Sequence, residues 1–147
     1  MRQGELIQLY QETVGQALAK HAFARNLASS VKGVLQNVFD FTELQLRNKD
    51  EQQAEVPSPD HLRFAAHREG LGFKISRDLP SYREAPAMMV LAEVQINYGD
   101  QDIIVTVDSV QAAAIPAGTA PNAETLRGIA ASVAEAWAKK VGILSPW

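Results

Sequence analysis

Residues 88–107 read MMVLAEVQINYGDQDIIVTV, and this stretch carries the strongest secondary-structure signal in the chain. Apolar side chains occupy every second position on both sides of a glycine-containing turn at residues 99–101. Strict alternation of this kind predicts two half-buried β-strands joined as a hairpin. Two registers are plausible, one of which places Tyr98 opposite Ile103, and in either of them all the apolar side chains share one face. A slip by one residue would turn that whole set to water, so we expect a firm register.

Amphipathic helices are predicted on both sides of the strands. The first covers residues 3–28, and Ser29, Ser30 or Gly33 is expected to end or bend it. The second covers residues 122–141, begins at Asn122 as its N-cap and carries Trp137 on its apolar side. Apolar spacings of three and four define the stripe of the first helix, which contains Ile7, Tyr10, Val14, Leu18 and His21.

The other strands have weaker patterns. We interpret residues 31–47 as a helix to about Asn37 followed by a strand from about Val38. A second hairpin is predicted from residues 62–68 and 73–77, with a turn at residues 69–72 that places Phe64 opposite Arg77. The apolar alternation changes parity after Asp108, and a β-bulge near Ser109 is one explanation.

These elements predict an α+β fold: an antiparallel sheet of four to five strands with the N-terminal and C-terminal helices packed on one face. The chain has 147 residues, of which 46% are apolar and 21% charged, so residues 1–147 are expected to form one domain. Residues 48–60 (NKDEQQAEVPSPD) are polar and contain two prolines. We expect them to form a mobile internal loop.

Composition restricts the possible functions. The sequence has no cysteine, which excludes disulfides, thiolate nucleophiles and Cys-ligated metal sites. It has neither the continuous apolar core of a signal peptide nor about 20 consecutive apolar residues, so we expect a cytoplasmic location without membrane contact. A net charge of −3 makes nucleic acid an unlikely partner.

Most named catalytic and cofactor signatures are absent, among them GxGxxG, GxxxxGK(S/T), HExxH, GxSxG and the EF-hand loop. The histidines are His21, His61 and His67, and His61 and His67 would be separated by about 20 Å along one strand. A shared metal ion is therefore not expected, and neither metal nor cofactor is predicted.

Glu93 and Asp108 are the candidate catalytic or ligand-binding residues. In the register with Tyr98 opposite Ile103, they face each other across the hairpin with Cβ atoms about 5 Å apart. Such a pair can serve acid–base chemistry or hold a cation. The alternatives are a hydrated polar face, or a Lys or Arg from another element between the two carboxylates.

Arg63, His67 and Lys74 are the candidate partner-binding residues, because they share one face of the second predicted hairpin. That face is basic and suits an anionic partner. Nearby acidic residues weaken its field, and the alternative interpretation is an ordinary solvated strand face.

The sequence therefore favours a non-enzymatic binding protein (an assembly factor, adaptor or chaperone) that binds a protein partner or itself as a homodimer through its sheet and helices. The alternative is a small enzyme or ligand-binding protein with Glu93 and Asp108 in a pocket. In outline, an acidic chain with a first helix, antiparallel strands and a closing helix with a tryptophan resembles the dimeric type III secretion chaperones and several phage assembly proteins. This resemblance implies a bacterial or phage homodimer and assigns no site residues.

Overall fold

A computed structural model describes residues 2–48 and 70–143. Its elements are α1 (Gln3–Asn37), β1 (Leu44–Asn48), β2 (Gly70–Leu79), β3 (Met88–Tyr98), β4 (Asp102–Val107), β5 (Val110–Pro116) and α2 (Ala123–Ile143). The strands form one antiparallel sheet in the order β1-β2-β3-β4-β5, so each strand pairs with its neighbours in sequence. Both helices contact this sheet. The predicted α+β class with a five-stranded antiparallel sheet is confirmed.

The central hairpin adopts one of the two registers that the sequence leaves open, and its apolar face is the predicted one. Tyr98 pairs with Ile103 and Val94 pairs with Val107. The alternating side chains of β3 from Val90 to Ile96 are buried, as are the three apolar side chains of β4 that face them. The apolar alternation therefore determines which face of the sheet is dry.

The core lies between that face and the two helices. Helix α1 contributes side chains from its second half, and α2 contributes the stripe that the sequence predicts. The fully buried helical side chains are Ala24, Leu27, Ala28, Val31 and Leu35 of α1 and Ile129, Ala130, Val133 and Trp137 of α2. Trp137 also meets Phe41 edge to face, with ring centroids 5.1 Å apart, which ties the segment after α1 to α2.

Helix α1 is longer than predicted. It continues through Ser29, Ser30 and Gly33 to Asn37, because burial of Val31 and Leu35 outweighs the weak helix propensity of those three residues. The following strand begins at Leu44, not at Val38. Residues 38–43 form a connector in which Asp40 and Glu43 have positive φ angles of 57° and 56°, a conformation that no strand adopts.

The hairpin predicted for residues 62–77 is wrong in its turn and in its pairing. Gly70 and Gly72 belong to β2, and Arg77 pairs with Leu44 of β1 on one side and with Val90 of β3 on the other. Both edges of β2 are therefore already paired from Phe73 to Arg77. Glycine is required at Gly70 because a Cβ atom there would overlap the carbonyl oxygen of Ile96, so it marks a close backbone approach within the sheet. Residues 62–68 lie outside the described part of the chain.

The apolar alternation changes parity after β4 because of a tight turn, and not because of the predicted bulge near Ser109. Asp108 and Ser109 form a two-residue turn, with φ angles of 48° and 70°, and Val107 pairs with Val110 across it. Positive φ at both central residues is typical of a type I′ turn, which matches the twist of the strands. The irregularity of register lies elsewhere, between Val105 and Thr106.

The N-cap predicted for the second helix is confirmed. The side-chain oxygen of Asn122 accepts a hydrogen bond from the backbone N–H of Thr125 at 2.8 Å. Neither of the two described helices contains an apolar stretch long enough to cross a bilayer. The loop predicted at residues 48–60 lies outside the described residues, apart from Asn48 at the end of β1.

Replacement of Ile75 by Ala tests the assignment of the dry face. Ile75 is fully buried, whereas Ile104 is partly exposed and lies on the other face of the sheet. We expect Ile75→Ala to lower the free energy of unfolding by about 2–5 kcal/mol, because it removes buried methyl groups and leaves a cavity. The matched variant Ile104→Ala loses the same atoms and the same β propensity, and should cost no more than about 1 kcal/mol. Urea unfolding measures both, and equal losses would contradict the assignment.

Candidate functional site

The first half of α1 extends beyond the part of the helix that packs on the core. The helix has 35 residues and is therefore about 50 Å long. Its fully buried positions begin only at Ala24. We call residues 3–19 the arm and the rest of the described chain the head.

The arm carries an apolar stripe that is open to solvent. Leu6, Ile7, Tyr10 and Leu18 are between 44% and 57% exposed, and Val14 between them is half-buried. These four exposed residues and Val14 are the arm stripe. Leu9 is equally exposed but points about 130° away from the centre of the stripe. The sequence located this stripe but did not show that its first half lies outside the core.

Tyr98 joins the base of the arm to the head. Its hydroxyl donates a hydrogen bond to the backbone carbonyl of Lys20 at 2.7 Å, and the Lys20 ammonium lies 5.6 Å from the centre of the Tyr98 ring. Burial of the phenol raises the pKa of Tyr98 to about 12. The helix is therefore held at the end of β3 at the point where the arm leaves the head.

A groove runs beside this junction. It comprises two adjoining cavities of about 520 and 290 Å³, which share Phe23, Ile103 and Gly118. The lining is mostly apolar, and Asn26, Ser30 and Thr119 provide its neutral polar groups. No sequence pattern indicates this groove, because its walls come from α1, β4 and the loop before α2, which are distant in sequence.

The structure brings Glu93 and Asp108 together at the end of the central hairpin. Asp108 donates its backbone N–H to the carbonyl of Glu93, and the Asp108 carboxylate accepts the backbone N–H of Glu93; both distances are 2.9 Å. The other carboxylate oxygen of Asp108 lies 3.0 Å from the Lys140 ammonium, which also donates to the carbonyl of Leu91. Asp108 thus continues the pairing of β3 with β4 beyond Val107 and fixes the last turns of α2 to the sheet.

No local pattern in the sequence connects Lys140 with this pair. It lies three residues before Ile143, the end of the described helix, and only the packing of α2 on the sheet brings it to Asp108. The lysine comes from another element and contacts the Asp108 carboxylate, whereas the alternative that the sequence left open placed a cation between both carboxylates. The contact with Lys140 and the bond from the Glu93 amide both connect Asp108 to neighbouring elements of the fold.

Lys74 is the one candidate partner-binding residue within the described residues. It lies in β2 between the buried Phe73 and Ile75, so it points away from the helices. Arg47 of β1 and Glu93 of β3 are its cross-strand neighbours. Lys74 is therefore part of a row of mixed charge across three strands and not of a purely basic patch. Arg63 and His67 lie outside the described residues.

The described residues contain no cluster of three or more His, Asp or Glu side chains that could hold a metal ion. His21 lies on α1 and is half-buried, whereas His61 and His67 belong to the part of the chain that is not described. Among the described features, the arm stripe and the groove at its base are thus the best candidates for recognition.

Replacement of Tyr98 tests the junction of arm and head. The unfolded tyrosine ionises near its ordinary pKa of 10, whereas the folded one stays neutral to about 12. The unfolded state therefore releases its proton first, and stability should be complete below pH 10 and fall as the pH rises towards 12. Tyr98→Phe should remove this alkaline decrease and lower stability at neutral pH by about 0.5–1.5 kcal/mol through the lost hydrogen bond. Urea unfolding as a function of pH measures both effects, and an unchanged alkaline slope would contradict the assignment.

Two replacements of Asp108 separate its hydrogen bond with the Glu93 amide from its ion pair with Lys140. Asp108→Asn keeps an acceptor for the Glu93 N–H and tolerates positive φ, so it should cost no more than about 1 kcal/mol. Asp108→Ala loses the acceptor and is strained at positive φ, and we expect a loss of about 1–3 kcal/mol. Thermal unfolding of the two variants gives the comparison. If Asn costs as much as Ala, the contact with Lys140 dominates instead.

Comparisons with known proteins do not supply a function for these features. No family model matches the chain, and neither a curated protein nor a solved structure matches it.

Proposed function

We propose that this chain is a non-enzymatic binding protein, an adaptor, assembly factor or chaperone, which binds a protein partner through the arm of α1. The observation that carries the proposal is the exposed arm stripe on a helix whose second half is buried in the head. Large apolar side chains that are contiguous and open to water are typical of interaction surfaces.

The geometry of the arm suits one recognition mode. Ile7, Tyr10 and Val14 follow one another at spacings of three and four, which are the anchor spacings of a helix that inserts its apolar face into a groove or against another helix. The tyrosine adds a large contact area with little loss of conformational freedom. The partner expected for such a surface is an apolar groove or helix.

The connection between arm and head reduces the cost of binding. The Tyr98 hydroxyl holds the carbonyl of Lys20, and the helix is continuous through that point into the core. An arm that is already helical and attached to a packed domain loses less conformational entropy on association than a flexible peptide would. This supports an adaptor or assembly role, in which the head presents the arm.

The alternative, a small enzyme or ligand-binding protein that uses Glu93 and Asp108, has one observation in its favour. Asp108 lines a cavity of about 280 Å³ together with Ser132, Glu135 and Lys140. Against it, the Asp108 carboxylate is occupied by the Glu93 amide and by the Lys140 ammonium. The binding hypothesis is therefore the better supported of the two.

Four forms of the full-length chain test the proposal as bait for partner proteins from an extract of the native host. Ile7→Gln combined with Leu18→Gln removes two anchors of the arm stripe and keeps good helix propensity. Leu9→Gln is the matched control, because Leu9 is equally exposed but lies off the stripe. Glu93→Gln combined with Asp108→Asn tests the alternative. We expect the wild type, the Leu9 variant and the carboxylate variant to retain the same partner, and the stripe variant to lose at least about nine-tenths of it.

Circular dichroism and thermal unfolding are the controls for folding, since Ile7 and Leu18 lie outside the core. A partner that is retained equally by the wild type and the stripe variant would show that the arm is not the binding surface. A partner that is lost only with the carboxylate variant would favour the alternative.

A further inference from the structure

The groove at the base of the arm lies on a different side of α1 from the arm stripe. Val14 of the stripe and Phe23 of the groove are nine residues apart in the sequence. At about 3.6 residues per turn, this separation places the two side chains on opposite sides of the helix. A ligand in the groove therefore leaves the arm stripe uncovered.

The floor of the groove is apolar and buried. Leu27 and Ile103 are 2% and 8% exposed, and Phe23 lines both of the adjoining cavities of about 520 and 290 Å³. The lining positions of α1 run from Ala19 to Ser30, which is a distance of about 16 Å along the helix axis. A groove of this volume and lining is typical of a site for a small, mainly apolar ligand. Its elongated shape suits an extended chain.

The neutral polar side chains lie on the rim of the groove. Asn26 and Ser30 line the larger cavity and are exposed, so they stay hydrated beside a bound apolar chain. The Thr119 hydroxyl donates a hydrogen bond to the carbonyl of Pro116 at 2.6 Å. The body of the ligand therefore needs no polar groups of its own.

One end of the groove carries a positive charge. Lys20 lines the smaller cavity, and its ammonium lies 5.6 Å from the centre of the Tyr98 ring. The Tyr98 hydroxyl also donates to the carbonyl of Lys20, so both parts of this residue are held at the end of β3. Lys20 has no carboxylate partner among the described residues.

No acidic side chain of the described residues lines either cavity. Asp102 follows the adjacent turn and pairs with Pro116, but it has the parity of Ile104 and so points to the other face of the sheet. Asp100 lies at the exposed tip of the turn. The charge at this end of the groove thus complements an anionic group.

We infer that the groove binds an extended acyl chain that ends in a carboxylate, with the carboxylate at Lys20 and the chain over Phe23, Leu27 and Ile103. This site lies outside the proposed function and does not depend on it. Burial of the chain supplies most of the affinity, because an ion pair with an exposed lysine contributes little. Lys20 sets the direction of the chain and the preference for an anion.

Two-dimensional NMR with decanoate as the probe tests the site. We expect saturable chemical-shift changes at the amides of residues 19–30, 98–103 and 117–126, with a dissociation constant of about 1 mM or lower. Decyltrimethylammonium has the same chain and the opposite charge. It should bind at least about five-fold more weakly than decanoate.

Filling the groove tests the position of the chain. Ala19→Trp combined with Ala120→Phe places one ring in each cavity and removes no existing group. This variant should raise the dissociation constant of decanoate at least about ten-fold. Ala138→Trp is the matched control, because Ala138 is an exposed alanine about 18 Å along α2 from Leu126, and it should leave binding unchanged.

Replacement of Lys20 tests the position of the carboxylate. Lys20→Gln should raise the dissociation constant of decanoate by up to about five-fold and remove the preference for decanoate over decyltrimethylammonium. Lys32→Gln is the control, because Lys32 is nine residues from Phe23 and lies on the opposite side of α1. Thermal unfolding verifies that each variant is folded.

Shift changes outside the groove, or decanoate binding that survives in the filled variant, would overturn the site. Equal affinities for the two probes in the wild type, or affinities that Lys20→Gln leaves unchanged, would overturn the carboxylate. Absence of saturable binding would overturn the inference as a whole, and loss of a captured protein from the filled variant would then assign the groove to a protein ligand. The proposed function is tested with variants of the arm stripe, so it stands or fails separately.

Discussion

Burial of the alternating side chains of β3 against the helices is the constraint on which the rest of the structure depends. Val90, Val94 and Ile96 all lie on that face, together with the β4 side chains opposite them. Because strand side chains alternate, this one parity assigns a dry face to the entire five-stranded sheet. Both helices then have to lie on that face, since only there can their apolar sides be covered.

Helix α1 is longer than the surface available to cover it. Its second half packs on the sheet and on α2, and Ala24 is the first fully buried position along the helix. Tyr98, the last residue of β3, contacts the helix through Lys20 at that boundary. The same apolar periodicity therefore has two outcomes: it stabilises the core in one half of the helix and leaves an exposed apolar stripe on the other half.

Asp108 shows how a carboxylate that is a candidate site residue in the sequence can also connect elements of the fold. The register with Tyr98 opposite Ile103 places Glu93 opposite Asp108, and the backbone hydrogen bonds between the two residues agree with it. Asp108, however, lies in a turn with positive φ, so its carboxylate returns to the Glu93 amide and reaches Lys140. A local pattern gives the positions of two residues on a strand pair, but it does not give the direction of a side chain in a turn.

Short-range patterns in the sequence predict the fold class, the central hairpin, the N-cap at Asn122 and the stripe of α1, because each depends on periodicity or on one local hydrogen bond. Only the tertiary structure selects the register with Tyr98 opposite Ile103. It also extends α1 to Asn37, places Gly70 and Gly72 in a central strand and brings Lys140 to Asp108. It also decided that the stripe is buried from Ala24 onwards and exposed before it. These features depend on which distant segments cover a given surface, and a periodic pattern has the same form whether its apolar side faces a core or water.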